Sequence, residues 1–97
     1  MTYGIKKSAK FKKMYDLAVR RGWDITKLDH AIVTLASGGR LPPEFNDHRL
    51  KGAMSAFREC HIGGAKSDWI LVYQKLEAQL LLYLLATGTH RELALGG

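Results

Sequence analysis

The chain has 97 residues, 46% of them hydrophobic, with 15 Lys and Arg against 9 Asp and Glu for a formal net charge of +6. This length and composition suit one domain with a modest core and argue against disorder; the single cysteine, Cys60, excludes an internal disulfide and a cysteine-rich zinc module. The positive excess favours a polyanionic partner. The lack of a signal-peptide pattern, or of an apolar run long enough to span a bilayer, points to a cytoplasmic protein without membrane association.

Tyr3-Gly4-Ile5 predicts a short first strand. Ser8 then caps a helix running to about Arg21, with Phe11, Met14, Leu17 and Ala18 as its apolar stripe and Lys10, Lys12, Lys13 and Arg20 off it. Gly22 suits the helix stop. Asp24 or Thr26 caps a second helix, in which Ile25, Leu28, Ile32 and Leu35 recur on one side before Gly38-Gly39 ends it. The proline pair in Leu41-Pro42-Pro43-Glu44-Phe45-Asn46 predicts a rigid, non-helical connection, and Asp47–Ala53 reads as loop with at most a turn of helix. Three further strands are expected at about Ala56–Ile62, Trp69–Lys75 and Gln79–Thr87, joined by links short enough for antiparallel hairpins. The last two are almost continuously apolar, as strands covered on one face by helices would be. The order β-α-α-β-β-β gives an α+β fold: an N-terminal helical hairpin packed on a mainly antiparallel four-stranded sheet.

Three of the four histidines fall at strand ends or loops in the second half of the chain. His61 ends one strand and Asp68 opens the next, so the two flank one turn. His90 follows the last strand, which runs parallel to the strand carrying His61, and therefore leaves the sheet at the same edge. His48, in the loop before the sheet, is the least constrained member. Imidazoles change charge near neutral pH and serve as paired acid and base. RNA carries its own nucleophile, the 2′-OH, so its cleavage needs only proton transfer and stabilisation of the charge on phosphorus. Lys51, Arg58, Lys66 and Arg91 are the nearby cations for that stabilisation. No metal or other cofactor is required by this scheme; a site built from the three histidines has no close ligand spacing to support it. Cys60 and His61, adjacent on a strand, should face opposite sides. His30 reads as incidental on the second helix, and Trp69 as either core or a base-stacking residue.

Four blocks, in order, resemble one bacterial family. The run Leu41-Pro42-Pro43-Glu44-Phe45-Asn46-Asp47-His48-Arg49-Leu50-Lys51-Gly52 is similar to the LP-x-x-Y-x-D-H-x-L-x-G stretch of the YafQ family. Phe57-Arg58-Glu59-Cys60-His61-Ile62 resembles its YREcHI strand, Asp68-Trp69-Ile70-Leu71-Val72-Tyr73 its DWLLIY strand, and Thr87-Gly88-Thr89-His90 with Glu92-Leu93 its closing TGTH-x-x-LF. Phe11-Lys12-Lys13, Arg21-Gly22-Trp23-Asp24 and Lys27-Leu28 match the family's helical hairpin.

The resemblance implies a toxin of the RelE superfamily with its microbial-RNase-like fold. It implies an endoribonuclease that cleaves mRNA in the ribosomal A site and is held inactive, as a hetero-oligomer, by a cognate DinJ-like antitoxin. The family's functional residues fall on His48, His61, Asp68, Trp69 and His90. The expected chemistry is 2′-OH attack to leave a 2′,3′-cyclic phosphate, with His90 as general acid, His48 or Asp68 as base and His61 at the phosphate. Three departures bear on this reading. The His61-to-Asp68 link is about three residues longer than the family's; Ala86 stands where many members carry Arg; and Ala94 stands where they carry Phe. The competing readings are a ParE-like inhibitor of DNA gyrase without nuclease chemistry and a catalytically weakened RNA- or antitoxin-binding module.

Overall fold

A computed structural model describes residues 2–64 and 66–93. The order of elements is β1 (Gly4–Lys7), α1 (Ala9–Arg20), α2 (Ile25–Ala36), β2 (His48–Arg49), β3 (Arg58–His61), β4 (Trp69–Leu76), β5 (Leu81–Thr89) and the single turn α3 (His90–Leu93), with 3-10 turns at Pro43–Phe45, Gly52–Met54 and Glu77–Gln79. The sheet has five strands in the order β1-β5-β4-β3-β2. Only β1 is parallel to its neighbour; β2, β3, β4 and β5 form an antiparallel meander.

Both helices start where their caps direct. The Ser8 hydroxyl accepts the Phe11 N–H at 2.9 Å, and the Asp24 carboxylate accepts the Thr26 N–H at 3.2 Å, satisfying donors that the first helical turn leaves orphaned. In α2 the buried residues Leu28, Ala31, Ile32, Leu35 and Ala36 follow helical spacing and face the sheet. They meet Phe11, Cys60, Leu71, Tyr73, Leu82 and Leu84 in the larger of two cores. A second, smaller core on the opposite face joins Leu50, Ile70, Val72, Ala86 and Leu93.

A bulge explains why β5 is apolar almost throughout. Val72 stands opposite Ala86 but Tyr73 stands opposite Leu84, so Leu85 is an extra residue and the alternation of β5 changes phase there. Before the bulge Leu82 and Leu84 face the helices; beyond it Ala86 faces the second core. Ser8 anchors this point, its N–H donating to the Leu84 carbonyl and its hydroxyl to that of Leu85.

The structure corrects three sequence expectations. The sheet has five strands, not four, because His48–Arg49 pairs with Arg58–Glu59 as a short edge strand in a segment expected to be loop. The connection after Pro42 is not free of helix: Pro43 occupies the first position of a 3-10 turn, where its missing N–H costs nothing. The third predicted strand begins at Leu81 and extends to Thr89, carrying the chain directly into α3. Ala94 lies outside the described residues.

Candidate active site

The alternation of β3 places Arg58 and Cys60 on the helix face and Glu59 and His61 on the other, where the second core lies. Glu59 is 1% exposed. A buried carboxylate is costly unless cations or donors surround it, and here three imidazoles do. Its Oε1 lies 3.0 Å from His90 Nε2, 3.4 Å from His48 Nε2 and 3.7 Å from His61 Nε2. Its Oε2 has no hydrogen-bond partner among the described residues.

Each imidazole arrives on a different element. His48 is directly opposite Glu59 in the β2–β3 ladder. His61 ends β3, two residues from Glu59 on the same face. His90 opens α3, and its ring centroid is 5.2 Å from that of His61. Gly88 makes that entry possible: its φ is +153°, and a Cβ there would sit 2.6 Å from the methyl of Met14 on α1 and 3.2 Å from the Glu92 carboxylate. Thr89 and Glu92 then form a capping box, the Glu92 carboxylate accepting the Thr89 N–H at 3.0 Å and the Thr89 hydroxyl accepting the Glu92 N–H at 3.1 Å. Arg21, at the end of α1, clamps the same carboxylate with both terminal nitrogens. These contacts, the Arg21 guanidinium first, hold the Glu92 carboxyl down at about 2. Leu93 anchors the turn in the second core.

The three rings differ in their hydrogen-bond partners. His90 Nδ1 lies 3.1 Å from Asp68 Oδ1 while its Nε2 faces Glu59, so both ring nitrogens face carboxylate oxygens that accept, and the arrangement is that of an imidazolium. The Glu59 hydrogen bond, opposed by partial burial and reinforced by Asp68, raises the His90 pKa above its ordinary value. His48 Nδ1 instead donates to the backbone carbonyl of Asn46 at 2.8 Å, while its Nε2 faces Glu59 Oε1 at 3.4 Å. Asn46 aims that carbonyl from a left-handed conformation, φ 47°, at the end of the 3-10 turn. His61 Nδ1 likewise donates to the Ser67 carbonyl at 2.9 Å.

The sequence-predicted residues are thus partly gathered. His48, His61, Asp68 and His90 converge, and the longer link before Asp68 does not remove Asp68 from His90; Gly63 and Gly64, with φ of +91° and +121°, form its turn. Trp69 points to the helix face, packing against Trp23 with ring centroids 5.0 Å apart and planes tilted by 55°, and donating its indole N–H to the Thr87 hydroxyl. Arg58 also lies on that face, bound to Asp47. Lys51, Lys66 and Arg91 are exposed and have no ion-pair partner among the described residues. Ala86 is buried in the second core and contributes no cation. Glu59 is the residue that the reading of the sequence missed. Its signal was its spacing: two residues before His61 on a strand puts it on the same face. Donor atoms of Glu59, His61 and His90 lie within 4.8 Å of one another, a set suited to a divalent cation. A metal would need the His90 nitrogen that now holds a proton, so the two would compete.

Comparison with known proteins places the molecule. Residues 3–95 match the family model described as "Bacterial toxin of type II toxin-antitoxin system, YafQ". The chain belongs to the YafQ family. It is 36% identical over 90 residues to the mRNA interferase toxin YafQ of Escherichia coli K12, covering 92% of each chain. Among solved structures it resembles the toxin in the E. coli DinJ–YafQ complex, with 32% identity, 96% and 98% of the two chains covered and a TM-score of 0.84. It also resembles a metal-bound toxin from Helicobacter pylori, with 38% identity, 95% and 99% covered and a TM-score of 0.86. The five-stranded mixed sheet with two helices is therefore the YafQ fold. Among the described residues, no helix is long and apolar enough to cross a membrane.

Proposed function

We propose that this YafQ-family toxin is a cytoplasmic endoribonuclease that cleaves mRNA in the ribosomal A site by metal-independent acid–base catalysis, and that a DinJ-like antitoxin silences it. The observation that carries the reading is the contrast between two imidazoles sharing Glu59: His90 with both nitrogens donating, and His48 with Nδ1 committed to a carbonyl. In this mechanism His48 Nε2 takes the proton of the 2′-OH as its oxygen attacks the adjacent phosphorus. His90 gives its Nε2 proton to the departing 5′-oxygen as the P–O5′ bond breaks, leaving a 2′,3′-cyclic phosphate and a 5′-OH. Asp68 orients the acid and stabilises its charge, a role that fits its place on Nδ1 better than that of base. His61 Nε2 faces the phosphate, and Lys51, Lys66 and Arg91 supply the cations that position 86 lacks.

The family match supports the system class, and the relatives named above support the activity and the antitoxin partner. A ParE-like gyrase inhibitor would have no use for a proton-donating imidazole beside a base, and this cluster weighs against it. Expression of the chain, followed by primer extension on translated mRNA and by a gyrase supercoiling assay, tests the choice. Codon-dependent cuts are expected, and they should vanish in His48→Ala and His90→Ala. Undiminished cutting in both variants, or inhibited supercoiling without cuts, overturns the proposal.

A further inference from the structure

A cleft of about 600 Å³ opens on the opposite face of the same sheet edge, lined among others by Arg40, Asp47, Arg49, Arg58, Lys75 and Glu77. Its acids are already committed. Asp47 accepts from Arg58 and from the buried Tyr73 hydroxyl, and Glu77 accepts the Tyr3 hydroxyl. Arg40, Arg49 and Lys75 have no carboxylate partner among the described residues, and the Lys75 ammonium lies over the Tyr3 ring, 5.7 Å from its centroid. Glu77 keeps its charge, because a tyrosine hydroxyl does not neutralise it; four cations against two carboxylates still leave a net positive excess in the concavity and a positive potential there. The cleft also adjoins the active site by construction. His48 and Arg49 are consecutive residues of the edge strand β2, pairing with Glu59 and Arg58 respectively, so one side chain enters the imidazole cluster and the next enters the cleft.

We infer that the cleft is a phosphate-binding subsite for the single RNA strand flanking the scissile linkage, which crosses the edge of the sheet at β2; this rests on the nuclease reading above. The cleft lacks what a protein partner requires. Its aromatic, Tyr73, and the aliphatic Leu35 are fully buried and Leu41 is partly buried against the core, so the lining offers no exposed aromatic anchor, whereas point charges suffice for phosphates.

The test uses non-cleavable 2′-O-methyl oligonucleotides of three and nine residues, with binding followed by fluorescence anisotropy across a salt series. The nonamer should bind the native chain more tightly than the trimer. In Arg40→Gln/Arg49→Gln that advantage should fall about tenfold and the salt slope should drop by about 1.4, two phosphates at roughly 0.7 each for a single strand, with trimer binding unchanged. Lys75→Gln alone should lower the slope by about 0.7. All three residues are replaced without touching the core, and thermal melting checks the fold. Unchanged slopes overturn the subsite, as does a polyglutamate peptide that binds through these cations when the nonamer does not. Cleavage of ordinary RNA by the native chain is measured in parallel. If cleavage occurs and the slopes do not move, only the subsite falls; if the native chain neither cuts nor binds RNA, the nuclease reading falls with it.

Discussion

The two faces of the β2–β3 edge each carry a carboxylate surrounded by donors, and they use it in opposite ways. On the helix face Asp47 is held by Arg58 at 3.0 Å and by Tyr73 at 2.6 Å. Arginine stays charged at any relevant pH, and burial and the Asp47 hydrogen bond drive the Tyr73 hydroxyl far above its ordinary pKa, so none of these partners exchanges a proton. On the other face, among the described residues, Glu59 meets only imidazoles and its Oε2 has no hydrogen-bond partner. Imidazole gains and loses a proton near neutrality. The same kind of carboxylate, on opposite faces of one sheet edge, is a fixed staple on one side and the centre of an imidazole cluster on the other. The difference lies in whether its partners titrate.

Four variants would break or sharpen that contrast. The largest effect is expected for His90→Gln, which removes the proton donor: about a thousandfold slower RNA cleavage, with the thermal midpoint near that of the native chain. Glu59→Gln keeps the shape and removes the charge. The rate at pH 7 should fall roughly a hundredfold, and the His90 resonance should titrate at lower pH by NMR; an unmoved titration would show that Glu59 does not hold that proton. The raised His90 pKa also has a stability consequence. Its contribution is fully present below the unfolded value near 6.5 and is lost as pH rises through the folded value, so Glu59→Gln should flatten that part of the stability–pH curve.

Asp47→Asn tests the staple. Arg58 and the buried Tyr73 lose their charged acceptor, which should cost about 2 kcal/mol in denaturant unfolding, while the pH profile of cleavage per folded molecule stays where it was. A shifted profile would mean that the two faces are coupled. The smallest effect is expected for Glu92→Gln, which loosens the turn carrying His90 and slows cleavage a few-fold. Glu92 is held at about 2, below its ordinary 4.5, so its stabilisation is present above about 4.5 and is lost as pH falls toward 2. The variant should lack that acid limb in thermal melts between those pH values.

Much of this architecture was legible in the chain. Ser8 marked the start of α1 and Asp24, one of two candidates, that of α2; periodicity named the buried face of α2, and the directions of the strands placed His61 and His90 at one edge. The pairing of β2 was not legible, because two residues carry too little alternation to register as a strand; their partner on β3 creates the element. The phase change at Leu85 was hidden for the same reason, since a bulge is a relation between two strands. The role of Glu59 was legible only in part: its spacing from His61 puts it on the site face, but its burial among three imidazoles comes from β2 and α3.

By itself, then, the sequence determined what local physics reads: caps, helical stripes, strand alternation and the supply of three imidazoles at strand ends. Tertiary structure decided which groups share an environment. It set His48 opposite Glu59, turned Arg58 and Trp69 away from the cluster, and placed His90 between two carboxylates. The two carboxylates that raise the His90 pKa come from residues distant in the chain, and only the folded sheet brings them to one ring.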